Sequence, residues 1–318
     1  MADRRASYAA SRAGPAVASC RVPERGHGGW RADPVPRTIG RAQGGVPFSI
    51  VVEPHERDLY AARYPGVEIK TVPFSHRGVV PVRNWVFDDA LEQGVDRFWI
   101  LDDNISRIRR AYKDLRLRVE SPGVAFAVTE DIADRFENVA ICGLEYSFFG
   151  NKRKAPLALN CRVYSFALIN TAIPYRWRGI YNEDTDLCLQ VLSGGWCTFL
   201  NLVFLAVKQP TMTMKGGNTD SIYTGDGRLK MARSLERLWP GVVTVDRRFR
   251  RPQHVVDWSH FTTPLKLREG VTLDPTPNEY GLKLAKRGPV TRRDLKAIVE
   301  SYAADGGVVI DAEPTGQR

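Results

Sequence analysis

Apolar positions recur along this chain with two periods, and the switching between them outlines an α/β fold. Phe48-Ser-Ile-Val-Val52 is a short run rich in branched residues and reads as a strand. Pro54 to Tyr64 takes up helical spacing and stops at Pro65-Gly66. Val67 to Val72 is a second strand. Val79 to Gln93 reads as a helix closed by Gly94, where a left-handed residue ends the turn. Arg97 to Leu101 is a third strand. Strand–helix–strand–helix–strand predicts same-direction strands with right-handed crossovers, hence a mixed, mostly parallel sheet flanked by helices. Helices at 124–136, Glu183–Leu192 and Asp226–Leu238 then alternate with strands at Val139–Gly143, Arg162–Ile169 and Trp196–Leu205.

The ends lack this periodicity. Residues 1–45 are rich in Arg, Ala, Gly and Pro, with eight Arg against Asp3, Glu24 and Asp33. They read as a disordered basic extension, either a phosphate-touching arm or a segment with no role. Residues 46–261 are the expected folded domain. Residues 262–318 are a Pro- and charge-rich extension, with one helix starting near Thr291-Arg-Arg-Asp294 and a frayed tail from Glu313. No internal repeat or heptad pattern marks an oligomerisation seam, so both a monomer and an oligomer stay open.

Composition narrows the partners. The 318 residues carry a formal charge of +10, and the pI is about 9.5. An anionic partner such as a nucleic acid or nucleotide fits that charge, which also serves solubility alone. The five cysteines form no C-x-x-C pair and no zinc spacing, so reduced thiols and an intracellular location are expected. No apolar run approaches the ~18 residues of a membrane span. Val17-Ala-Ser-Cys20 resembles a lipoprotein cleavage site, but no apolar stretch precedes it, and a signal peptide is rejected.

Four clusters carry candidate chemistry. In Phe98-Trp-Ile-Leu-Asp102-Asp103-Asn104 an apolar run ends in two carboxylates and an amide. Such a strand end is where open α/β sheets bind ligands, and adjacent acids suit a hard cation carrying a phosphate-linked substrate. The same residues also serve as helix caps. Arg77-Gly78 and Arg83-Asn84 open the preceding helix, whose N-terminus and guanidiniums suit an anion, or simply a solvated face. Asn182-Glu183-Asp184-Thr-Asp186 starts another helix. Three acids in its first turn exceed what a cap needs and suit a general base, although the helix dipole alone also favours them. Lys215-Gly216-Gly217-Asn218 offers close backbone amides and a charge to a phosphate, or a plain turn.

In this order the clusters resemble a GT-A nucleotide-sugar glycosyltransferase over about residues 46–245. More narrowly, Arg83-Asn84, Leu101-Asp-Asp-Asn104, Asn182-Glu-Asp-x-Asp186 and Lys215-Gly-Gly-Asn218 are similar to the TET-associated glycosyltransferase family of phages and eukaryotes. That family includes the kinetoplastid base J glucosyltransferase. The resemblance implies a GT-A, Rossmann-like fold and transfer of a sugar from a UDP-hexose such as UDP-glucose. The acceptor it implies is DNA carrying hydroxymethylated pyrimidines.

It also implies roles. Asp102 and Asp103 meet the donor and a divalent cation, Mn2+ or Mg2+, with Asn104 in the third ligand position. Arg83 and Asn84 lie on the donor side. Asp184, then Glu183, supplies the base, with Asp186 in the same cluster. Lys215, Gly216, Gly217 and Asn218 face the departing diphosphate. His254 and His260 are candidates for a C-terminal metal-binding histidine. Tyr146, Phe148, Tyr175, Trp177 and Tyr181, beside Lys152–Lys154, Arg176 and Arg178, are candidate base-stacking and phosphate contacts, or core. Arg247-Arg248-Phe-Arg250-Arg251 is a candidate DNA-backbone contact, or a solvated loop. Two rival readings are a glycan or protein acceptor and a non-catalytic nucleic-acid-binding protein on the same scaffold.

Overall fold

A computed structural model describes residues 46–102, 105–111, 123–149, 156–208, 227–248 and 251–271, and the backbone of strands at 17–21, 115–119 and 309–314. The strands, in chain order, are β1 (Val17–Arg21), β2 (Phe48–Val52), β3 (Glu68–Thr71), β4 (Arg97–Asp102), β5 (Ile105–Ala111), β6 (Leu115–Val119), β7 (Val139–Tyr146), β8 (Leu157–Leu159), β9 (Phe166–Asn170), β10 (Cys197–Lys208), β11 (Val243–Arg248), β12 (Arg251–Val256) and β13 (Val309–Pro314). The helices are α1 (Arg57–Arg63), α2 (Val79–Glu92), α3 (Gly123–Asp134), α4 (Glu183–Ser193) and α5 (Gly227–Leu238). This is an α/β protein with a mixed sheet, as the alternating pattern predicts.

The main sheet runs β13-β6-β5-β10-β7-β9-β4-β1-β2-β3, with β8 also on β10. Only β2–β3 and β7–β10 are parallel neighbours. The expected mostly parallel pairing is therefore corrected. The strands predicted to share a direction, β2, β3, β4, β7 and β10, do share it. Two reverse strands lie between them: β1 separates β2 from β4, and β9 separates β4 from β7. Directions were legible from the crossovers; neighbours were not, because a reverse strand can pair with both.

β1 also corrects the amino-terminal reading. Val17-Ala-Ser-Cys-Arg21, expected to lack regular structure, pairs with β2 on one side and β4 on the other. Five residues are too few to show a period, and the two flanking strands satisfy their backbone groups. A second difference is at β9. The predicted strand over Arg162–Ile169 begins only at Phe166. Before it, Cys161 N donates to Thr198 Oγ1 and Val163 N to Cys188 Sγ, so this backbone is bonded to side chains rather than a ladder.

Alternate residues of β4 face opposite layers. Phe98 and Ile100 pack with Val82, Val86 and Phe87 of α2 and Leu187 and Val191 of α4. Trp99 and Leu101 pack with Ala125, Phe126 and Val128 of α3. Trp99 is fully buried and donates its indole N–H to Glu130 Oε1 at 2.6 Å. Truncating such a ring costs about 3–5 kcal/mol. β4 is thus fixed from both faces, and its last residue, Asp102, is delivered to the rim on a rigid element.

Candidate active site

Asp102 closes β4, and its N–H donates to the carbonyl of Ser165 at 3.1 Å. Its carboxylate lies between two cations. Arg83 Nη2 donates to Oδ1 at 3.2 Å, and Lys208 Nζ donates to Oδ2 at 2.9 Å. Arg83 rises from the second turn of α2 with a side chain only 6% exposed, and its Nη1 donates to Glu183 Oε1 at 3.0 Å. A buried guanidinium needs paired acids, and β4 and α4 each supply one. Lys208 also reaches Tyr146 Oη and Ser165 Oγ, each at 3.3 Å, and these two hydroxyls lie 2.6 Å apart.

The electrostatics follow from this geometry. Burial pushes the Asp102 carboxyl up, but Arg83 and Lys208 outweigh it and hold it below the ordinary range. Burial opposes the charge on Arg83 and Lys208, and the facing acids more than restore it. Glu183 moves the other way: burial and neighbouring Asp184 raise it despite Arg83.

Among the described residues, no ion pair holds Asp184. Its Oδ1 accepts from Thr185 N at 2.7 Å and Thr185 Oγ1 at 3.3 Å. It shares a small pocket with Arg83, Tyr164, Ser165 and Trp177. Tyr164 also lines a cavity of about 690 Å3, together with Phe149, Arg162, Arg228, His254 and Trp258, among others. This is the volume of a small-molecule site. The Arg162 guanidinium lies 3.9 Å from the Tyr164 ring centroid, and Phe149 stacks on Tyr164 at 5.8 Å. Phe148 and Phe149 are exposed at 54% and 41%.

Several expected site residues have other duties. Asp186 is fully buried, and its oxygens accept from Arg178 Nε and Nη2, Gln190 Nε2 and Trp239 Nε1 at 2.7–3.1 Å. With four donors in place it is an anchor between α4 and α5, which corrects its place in the catalytic cluster. Asn84 exchanges two bonds with the backbone of Trp177, accepting from its N–H at 3.0 Å and donating to its carbonyl at 2.8 Å. It holds α2 in place rather than a donor. Asn182 stands at the N-cap in a left-handed conformation (φ 55°), but its amide donates to the Met231 carbonyl of α5. Tyr146 and Trp177, candidate stacking rings, are buried.

The expected cation site does not fit the described residues. Both oxygens of Asp102 already accept from cationic side chains, Arg83 and Lys208. Asp103 and Asn104 lie outside the described residues, as do Lys152–Lys154, Lys215, Gly216, Gly217, Asn218 and Arg250. His254 faces Arg162, 3.5 Å from Nε2 to Nη1. Burial and that guanidinium lower its pKa to about 4, which disfavours a cation there too. His260 is exposed beside Asp257. Three arginines of the basic cluster lie on a hairpin: Arg247 opposes Pro252 and Arg248 opposes Arg251. Arg247 and Arg251 are exposed, and Pro252–Val256 of the same hairpin line the cavity.

In sequence, Lys208 opens the segment that ends in Lys215-Gly216-Gly217-Asn218, but the charge role is read at Lys215. The signal was present: Lys208 ends the apolar run of β10 as Asp102 ends that of β4. β10 shifts register against β7 between Asn201 and Leu205, and against β5 between Val207 and Lys208. Such bulges re-aim side chains.

Residues 38–217, more than half the chain, match the model of the TET-Associated Glycosyltransferase family. The chain belongs to that family. The matched TET-associated glycosyltransferase segment contains Arg83, Asp102, Glu183, Asp184 and Lys208, so the whole charged network falls inside it. Membership assigns sugar transfer as the reaction class. No curated protein and no solved structure matches the chain. No helix among the described residues is long and apolar enough to cross a membrane.

Proposed function

We propose that this chain transfers a hexose from a nucleotide sugar, UDP-glucose or a related UDP-hexose, to the hydroxyl of a 5-hydroxymethylpyrimidine in DNA, on a GT-A scaffold. The observation that carries this reading is the Arg83–Asp102–Lys208 network, with Asp184 sharing a small pocket with Arg83 and Tyr164, and Tyr164 also lining the 690 Å3 cavity. The network lies at the carboxyl ends of same-direction strands, the ligand side of an open α/β sheet. Its two cations face the place where diphosphate charge develops as the sugar leaves. Asp184 takes the proton of the acceptor's primary alcohol while that oxygen bonds to the anomeric carbon, and the bond from that carbon to the nucleoside diphosphate breaks. No step passes through a metal at Asp102.

On the acceptor side, a base drawn out of the duplex stacks well on exposed rings such as Phe148 and Phe149. The arginines of the β11–β12 hairpin are placed to meet phosphates beside the cavity. The test is incubation with a panel of nucleotide sugars and DNA containing 5-hydroxymethylcytosine or 5-hydroxymethyluracil, followed by mass analysis of the digested nucleosides. A hexose adduct with one donor is expected; no adduct with any donor on either base overturns the acceptor assignment.

A further inference from the structure

A second cluster lies on the same rim, away from the charged network. Glu53 directly follows β2, His55 sits in the single 3-10 turn after it (Pro54–Glu56), and His76 lies between β3 and α2. His55 Nδ1 and His76 Nδ1 are 3.6 and 3.8 Å from the same oxygen, Glu53 Oε2. The ligand atoms of the three residues all lie within 4.8 Å of one another. Distances of 3.6 and 3.8 Å are too long for hydrogen bonds. They are close to the ~3.4 Å edge of a tetrahedron whose arms are about 2.1 Å, the bond length of zinc to histidine nitrogen or carboxylate oxygen.

The three donors are held for this purpose by independent means. Glu53 is only 15% exposed, and its Oε2 accepts the backbone N–H of His76 at 2.8 Å. Glu53 N donates to Glu56 Oε2 at 3.2 Å. The two imidazoles stack with centroids 4.9 Å apart, so both present Nδ1 to the carboxylate. Asp102 pairs with Val17 and Val17 with Val51, which places Glu53 two strands away and two residues further along, on the order of 12 Å from Asp102. The two sites are separate.

We propose that Glu53, His55 and His76 bind one divalent transition ion of the zinc class, with the fourth position open. Two imidazoles and one carboxylate select such an ion over Mg2+, which takes oxygen ligands. The ion ties the end of β2 to the segment leading into α2, the helix that carries Arg83. This assignment is independent of the sugar-transfer reading.

The experiment uses the full chain, stripped by a chelator and titrated with Co2+ as a spectroscopic probe, with Zn2+ as competitor. One saturable Co2+ per chain is expected, showing visible d–d absorption and displaced by Zn2+. His55→Ala and His76→Asn should each weaken binding more than about tenfold. Both side chains are exposed, at 47% and 81%, and Asn tolerates the left-handed φ of 58° at position 76, so both variants should fold; matching melting temperatures without metal check this. Asp102→Asn and Asp184→Asn should leave Co2+ affinity unchanged. The proposal is overturned by no saturable binding, by unchanged binding in the histidine variants, by loss of binding in Asp102→Asn, or by the intense charge-transfer absorption of a thiolate site.

Discussion

The ammonium of Lys208 lies 2.9 Å from Asp102 Oδ2, opposite the guanidinium of Arg83 on Oδ1. An acid that belongs by sequence to a presumed metal motif is thus neutralised by side chains from β10 and α2. Replacing Lys208 by Met leaves Asp102 with one cation and, in the proposed mechanism, removes one of the two positive charges facing the departing diphosphate. Donor turnover should fall about 100-fold in kcat/KM. Stability should fall by about 1.5–3 kcal/mol, the worth of hydrogen bonds to a charged group, read from urea unfolding.

Asp102 and Glu183 predict opposite pH behaviour. The folded value of Asp102 lies below its ordinary 3.8, so its stabilisation is complete above that value and lost as pH falls through the folded one. Asp102→Asn should be less stable than the parent at neutral pH, with the gap closing below 3.8. The folded value of Glu183 lies above its ordinary 4.5, so its contribution is complete below 4.5 and lost as pH rises through the folded value. Glu183→Gln should therefore gain on the parent as pH rises from 4.5 to neutrality. Unfolding midpoints across this range check both signs; parallel curves for parent and variants would refute the arrangement.

Asp184 and Asp186, two residues apart on α4, should separate activity from stability. Asp184→Asn should reduce transfer by about 10²–10⁴-fold, the usual worth of a general base. Its stability should stay within about 1 kcal/mol of the parent. Asp186→Ala removes the acceptor of Trp239 Nε1 and the partner of half-exposed Arg178, while Gln190 keeps the Arg176 carbonyl, and should cost about 1–3 kcal/mol. Thermal melts beside transfer rates distinguish the two.

Arg247 and Arg251, on the β11–β12 hairpin, should set salt dependence rather than turnover. If each meets one phosphate, the double variant Arg247→Ala/Arg251→Ala should lower the slope of log affinity against log salt by about 2. Transfer to a short acceptor oligonucleotide at saturation should stay near the parent rate. An unchanged slope would place the DNA elsewhere.

The sequence made the main elements legible because long periodic segments, such as Val79–Glu92 and Cys197–Lys208, carry strong patterns. It also pointed to Arg83, Asp102, Glu183 and Asp184, which do come together. It did not show β1, five residues within an Arg- and Gly-rich stretch, nor that β1 and β9 reverse the local pairing. Spacing alone could not tell Asp184 from Asp186, since both are acids in one helical turn; the family resemblance ranked Asp184 first, and the tertiary donors show what Asp186 does instead. Lys208 was hidden because a lysine ending a strand is common, and the bulges that aim it exist only in the pairing.

Arg83 and Asn84 are adjacent on α2, about 100° apart around its axis. The first turns to the acids and the second to the backbone of Trp177. The two letters of one motif therefore answer to different selection. A descendant that lost only Arg83 would keep the Asn84–Trp177 seat of the helix but leave Asp102 and Glu183 without their shared partner. One that lost only Asn84 would keep its chemistry and lose the seat that aims it. In this chain, Arg83 serves the charged network and Asn84 serves the seating of the helix.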